Sequence, residues 1–285
     1  MTRLERAPLL LHCAALLVAL VALAPFMQLD SSFTSDEGAY AIQARAVAEG
    51  RWDYEHRLAE FDADGSRFPV VNSLRVGERW YPYVQHPLVP LLLSVAWRLP
   101  GRAVGLHVLP LAAVVACAAA ACLLAARLAR RAAPLAFWLA AGAPVLANGW
   151  MLWAHAPSAA VSGFALLAVL ATVRRPTWSL AIAGGGALAL GVLLRSEGLI
   201  FAGACAGAVL AMRWRERRTP VVILAALAPA VVGLGAKVAE RAWTAAITGG
   251  TPEEPARATG DFLAGRLQGA WHEVAQGRYG EGSAW

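Results

Sequence analysis

Apolar and polar residues follow one another along this chain in long blocks rather than alternating. Apolar runs cover Ala7 to about Met27, about Ala103–Ala126, Ala132–Trp153, Ala156–Val173, Trp178–Leu194, Gly198–Met212 and Pro220–Ile247. Several approach or exceed the ~20 residues that carry a helix across a bilayer. A spanning backbone must satisfy its own hydrogen bonds, so these runs predict helices. One further run, opened by His86-Pro87-Leu88-Val89-Pro90 and ending at Trp97-Arg98, is too short for an ordinary span.

Arginines sit between the runs, as Arg127/Arg130/Arg131, Arg174/Arg175 and Arg213/Arg215/Arg217/Arg218. If these lie on the inner side of the membrane with Arg3 and Arg6, two spans separate each cluster from the next. His86–Leu99 is then a juxtamembrane or re-entrant helix on the outer side. Were His86–Leu99 to span, Arg127, Arg130 and Arg131 would fall outside, against that bias. The pattern predicts an all-α fold, a polytopic transmembrane helical bundle with an external first loop carrying juxtamembrane helices. We read residues 1–285 as a single membrane domain: a first span at 1–27, an external loop at 28–102, a multi-span bundle at 103–247 and an external tail at 248–285. The expected location is the cell membrane, with a cytoplasmic N-terminus. Ala22-Leu23-Ala24 resembles a signal-peptide cleavage site, but the run is longer than a signal core and Pro25 follows, so an uncleaved anchor is expected. In the tail, an amphipathic helix is expected over about 258–275.

Composition agrees with this reading. Hydrophobic residues make up 58% of the chain and charged residues 15%, against roughly 25% charged in a soluble domain. The net charge of +6 would suit nucleic acid, but its arginines cluster at helix ends, so it reads as topology and no nucleic-acid partner is expected. Cys13, Cys117, Cys122 and Cys205 fall inside apolar runs, which implies neither a disulfide framework nor a zinc site.

The loop from Gln28 to Gln85 has ten acids to six bases. Trp52, Tyr54, Trp80, Tyr81 and Tyr83 suit an interfacial aromatic belt. Asp62-Ala63-Asp64-Gly65 starts like a calcium loop but lacks the later Glu, and a turn is expected. Phe68–Val71 and Leu74–Tyr83 are expected to form a hairpin around Asn72-Ser73. Asp36 and Glu37 open a short amphipathic helix, with Thr34 or Ser35 as N-cap and Gly50 as its stop. Tyr40, Ala41, Ala44, Val47 and Ala48 share one face of it. By themselves these acids read as a capped helix with solvated carboxylates.

The topology gathers the remaining polar groups on the outer side: Asp36, Glu37, His86 before Pro87, His155 in Trp153-Ala154-His155-Ala156-Pro157, and Arg195 with Glu197. Ionisable groups at membrane depth are costly and face a cavity or one another. Arg195 and Glu197 are two apart, which on a helix turns them different ways and disfavours an internal pair.

The order of these features resembles the GT-C membrane glycosyltransferases, the polyprenyl-phosphate-sugar-dependent group that includes protein mannosyltransferases and aminoarabinose transferases. The likeness lies in Asp36-Glu37-Gly38-Ala39-Tyr40, in His86-Pro87-Leu88 and more loosely in Arg195-Ser196-Glu197-Gly198. It implies transfer of a sugar from a polyprenyl-phosphate donor to an acceptor hydroxyl on a glycan, lipid or protein, at the external face. It implies Asp36 as the essential acid, with Glu37 beside it, and His86 as the basic position before the proline. Where the family often has a second acid at a later external turn, this chain has His155. A divalent metal is the one cofactor the resemblance admits, with Asp36 and Glu37 its ligands at hand. A carboxylate takes the acceptor's proton, and Arg195, with His86, suits the leaving phosphate. The substrate-binding set is therefore His86, His155, Arg195 and Glu197. The chain is shorter than family members usually are, which suggests a truncated or partial member. Two other classes fit the pattern: a transporter or flippase, and a non-catalytic membrane partner.

Overall fold

The computed structural model describes residues 3–27, 35–54, 73–77, 79–82, 86–98, 102–142, 144–175, 177–212, 215 and 220–249. The described chain is mostly helical. In order come α1 (Arg3–Leu23), α2 (Ser35–Ala48), a hairpin of β1 (Ser73–Val76) and β2 (Arg79–Pro82), α3 (Leu88–Trp97), α4 (Arg102–Leu128), α5 (Ala133–Gly142), α6 (Pro144–Gly149), α7 (His155–Arg174), α8 (Trp178–Leu194), α9 (Gly198–Met212) and α10 (Pro220–Thr248). Three stretches, Pro8–Phe26, Val104–Leu128 and His155–Arg174, are long and apolar enough to cross a membrane. α3, α8 and α9 are shorter apolar helices.

Apolar side chains gather in three clusters. One joins α1, α4, α5 and the start of α7 through Leu20, Val114, Phe137 and Ala160. A second joins α7, α8 and α9 through Val169, Leu188, Ala202 and Val209. The third holds α2 to the bundle: Tyr40 and Ala44 pack with Val89 and Leu93 of α3, Leu106 of α4, Leu152 and Leu194. Thus the apolar stripe of α2 is covered by protein. α2 ends where Gly50 adopts φ 81°. Arg51 N–H then reaches Ala46 O at 2.8 Å and Gly50 N–H reaches Val47 O at 3.0 Å, a Schellman stop that favours glycine.

Three local expectations need correction. The run Ala132–Trp153 is not one helix. It divides into α5 and α6, because Pro144 lacks a donor and its ring disfavours helical backbone before it. The expected hairpin strand Phe68–Val71 lies outside the described residues. Its expected partner Leu74–Tyr83, read as one strand, instead folds back on itself, pairing Ser73 with Pro82 and Val76 with Arg79. Gly77 supplies φ 61° there, the left-handed backbone a tight hairpin needs. This hairpin also departs from a strictly all-α chain. Asp62-Ala63-Asp64-Gly65 and the expected tail helix lie outside the described residues.

Candidate functional site

Glu37 is carried inward by the stripe it belongs to, since Tyr40, Ala41 and Ala44 follow it at helical spacing. It is 1% exposed, and its Oε1 accepts the Leu152 backbone N–H at 3.0 Å. A buried carboxylate is tolerable only when hydrogen-bonded. The solvated-carboxylate reading therefore fails for Glu37. Asp36 stands beside it in the first turn of α2, and its side chain lies outside the described set.

Leu152 belongs to the turn that leads into α7, and that turn delivers His155. The His155 ring lies 4.8 Å from the Trp153 ring. Its Nδ1 is 3.2 Å from a terminal nitrogen of Arg195. A guanidinium only donates, so Nδ1 of His155 accepts.

Arg195 also grips Glu197, with Nε to Oε2 at 3.1 Å and NH2 to Oε1 at 2.6 Å. Here the sequence expectation is corrected. Arg195 is not helical: it caps α8 with φ −155° and ψ 136°, which takes its side chain out of the helical register and lets it meet Glu197 across the turn that follows. The Arg195 hydrogen bonds hold the Glu197 carboxyl below its ordinary value. Partial burial opposes the shift, while a backbone hydrogen bond and the charges of Arg195 and His86 add to it. Gly198 starts α9 directly against α8. A Cβ there would lie 2.8 Å from the backbone of Gly191 and Val192.

α10 supplies residues that the sequence reading missed. Lys237 Nζ lies 2.9 Å from Ser196 Oγ and 2.8 Å from Glu240 Oε2. Glu240 Oε1 in turn lies 3.1 Å from His86 Nδ1. Glu240 is 2% exposed and His86 7%. The Ser196–Lys237 pair has the composition of a nucleophile and its base, but here Lys237 Nζ donates both to Ser196 Oγ and to Glu240 Oε2, so Ser196 is the acceptor. The signal for these residues was present: Lys237 is the only lysine of the chain, with Glu240 and Arg241 three and four residues on, in a mainly apolar run. An ionisable pair there marks a site by default. Averaging over the run hid it.

Of the predicted residues, Glu37, His86, His155, Arg195 and Glu197 fall along one chain of neighbours, while the Asp36 side chain lies outside the described set. Glu37 contacts the turn that holds His155; His155 contacts Arg195; Arg195 holds Glu197 beside Ser196; and Lys237 and Glu240 lead on to His86. In α2, Gln43 is buried with neither side-chain amide atom partnered among the described residues. Beyond the network, a cleft of about 350 Å³ is lined by Gly50, Arg51, Trp52, Asp53, Arg79, Tyr81 and Ile247. Among the described residues no group of three or more His, Cys, Asp or Glu is disposed to hold a metal ion.

No family model, curated protein or solved structure matches the chain.

Proposed function

We propose that this chain is a membrane glycosyltransferase that moves a sugar from a polyprenyl-phosphate-linked donor to an acceptor hydroxyl on the external face. The observation that carries the reading is the network of Glu37, His86, His155, Arg195, Glu197, Lys237 and Glu240, buried at Glu37, His86 and Glu240 and half-buried to exposed along its Arg195–Glu197 side. Its members come from α2, the segment before α3, the α6–α7 turn, the α8–α9 turn and α10, and they meet among apolar helices. Arg174 stands at the far end of α7 from His155, about 30 Å away along 20 residues. That separation suits a site on the outer side and basic groups on the inner side of a polytopic bundle, with residues 28–102 external and the N-terminus cytoplasmic.

In the reaction, the acceptor oxygen bonds to the anomeric carbon as the bond from that carbon to the phosphate oxygen breaks. The electron pair leaves with the lipid phosphate. Asp36, as the resemblance implies, takes the hydroxyl proton. Arg195 and His86 bind the departing phosphate, for which Arg195 exchanges part of its grip on Glu197. No step requires a metal. A flippase is the second reading, favoured by the Lys237–Glu240 ion pair within α10.

The deciding experiment incubates membranes containing the protein with labelled polyprenyl-phosphate sugar. Label should appear covalently on acceptor, and Asp36→Asn should lower the rate about 10²–10⁴-fold. Movement of intact labelled lipid between leaflets without transfer would establish the flippase instead.

A further inference from the structure

We propose that Glu240 is the positioning residue that decides which nitrogen of His86 meets substrate, and that Lys237 keeps Glu240 able to do so. This rests on the reading above in one respect, that His86 faces substrate.

Lys237 Nζ stands 2.8 Å from Glu240 Oε2. An ammonium has only hydrogens to offer, so Oε2 must accept. Paired in this way with the Lys237 ammonium, the Glu240 carboxylate accepts through both oxygens. Its Oε1 lies 3.1 Å from His86 Nδ1. Nδ1 must then carry a hydrogen, which leaves Nε2 as the acceptor nitrogen of the neutral ring. Which ring nitrogen is protonated is set by the hydrogen bond the other one makes. The backbone cannot relieve the constraint, because Pro87 follows at φ −64° and His86 O accepts Val89 N–H at 3.1 Å. The charged groups facing His86 are Glu240 and Lys237 from α10, and Glu197 with Arg195 from the α8–α9 turn. Glu37 of α2 is directed to Leu152 N–H. His155 is held in the opposite sense, since its Nδ1 accepts from Arg195. The two histidines therefore present different chemistry: His155 can offer Nε2–H as a donor, whereas Nε2 of His86 is the atom that exchanges a proton or binds the leaving oxygen.

The test uses the full chain in lipid nanodiscs with ¹⁵N-labelled histidine rings, at alkaline pH where imidazoles are neutral. His86→Asn assigns the His86 signals by their loss. Wild type should show a protonated Nδ1 and an unprotonated Nε2 for His86. Glu240→Leu alone strands Lys237 and can unfold the chain, so the informative variant is Lys237→Met with Glu240→Leu, which replaces the ion pair by apolar side chains of similar size. There the proton should redistribute toward Nε2. In Glu240→Gln, whose amide oxygen can still accept, it should stay on Nδ1. Wild type with hydrogen on Nε2, or a double variant that keeps it on Nδ1, overturns the proposal. Sugar transfer provides the second readout: it should fall about 10–100-fold in the double variant, as for loss of groups that orient a reactive side chain. Recovery in Glu240→Gln should be partial. Unchanged transfer alongside a redistributed proton would overturn the positioning role. If wild type itself transfers no sugar while its His86 proton sits on Nδ1, the glycosyltransferase reading fails and the Glu240–His86 relationship stands.

Discussion

His86 and Glu240 are 154 positions apart in the chain, yet His86 Nδ1 lies 3.1 Å from Glu240 Oε1, and both side chains are buried. This contact ties the segment before α3 to the last described helix. It also places an imidazole, an ammonium and a carboxylate where lone charges would be costly. A buried ion pair is weak evidence for stability, because apolar replacements of like size are often as good. Its retention beside Ser196, Arg195 and Glu197 is better explained by chemistry than by folding.

Glu37 should prove an anchor, not a base. Glu37→Gln keeps an oxygen for Leu152 N–H and should melt close to wild type, with a modest loss of sugar transfer. Glu37→Leu leaves that buried N–H without its acceptor, a cost of about 1–3 kcal/mol, visible as a lower Tm in detergent. If Glu37→Gln and Asp36→Asn abolished transfer equally, and did so in a metal-dependent way, the two carboxylates would share an ion after all.

Gly198 should not accept a side chain. An alanine Cβ would approach the α8 backbone at Gly191 and Val192 to 2.8 Å, and backbone on both sides cannot step aside. α9 must back away from α8, carrying the Arg195–Glu197 turn with it. Overpacking of this kind costs about 1–3 kcal/mol. Gly198→Ala should therefore lower Tm and weaken donor binding together, while Gly203→Ala on the same helix, with open space around it, should change neither.

Much of the helical layout was legible because the breaks are chemical. α8 and α9 keep the limits of their apolar runs, since Arg195-Ser196-Glu197 interrupts them with charge. α5 and α6 were run together because Ala132–Trp153 is apolar throughout, and only Pro144 marks the break. The site was legible as a set of outward turns but not as contacts. Arg195 and Glu197 were judged by helical geometry, which the extended backbone of Arg195 and the turn after it do not obey. Lys237 and Glu240 were lost in the mean hydropathy of α10. The His86–Glu240 pairing has no local signature at all, since it depends on how the segment before α3 docks against α10.

The Arg195–Glu197 clamp carries a pH signature. The folded-state value of Glu197 lies below its ordinary 4.5, so its contribution is fully present above that pH. It is lost as pH falls through the lower folded value. The side chain is 63% exposed, so solvent screens the effect. The Tm difference between wild type and Glu197→Gln should be small and flat at neutral pH, then shrink only below about pH 4.5. A difference that already vanishes near neutrality would contradict the clamp.

Orientation can be checked with single cysteines in a cysteine-free background. Under the proposed topology, a cysteine in place of Ser66 should react in intact cells with an impermeant thiol reagent. One in place of Thr219 should react only after permeabilisation. The reverse pattern would put the network of Arg195 and His86 on the cytoplasmic side and remove the external transfer reaction.

Gln43 separates function from stability most directly. It is fully buried, and neither of its amide atoms has a partner among the described residues. It follows Asp36 by seven residues on α2, so the two share a face of the helix. A buried amide without partners costs about 1–3 kcal/mol per unsatisfied group. Such a cost persists where the group is needed by something that binds. Gln43→Met keeps the volume and removes both polar atoms, so it should raise Tm in the absence of substrate. The same change should weaken donor or acceptor binding, seen as a raised KM for labelled sugar transfer. A lower Tm would mean that Gln43 serves the fold, and a higher Tm with unchanged KM would exclude it from the site.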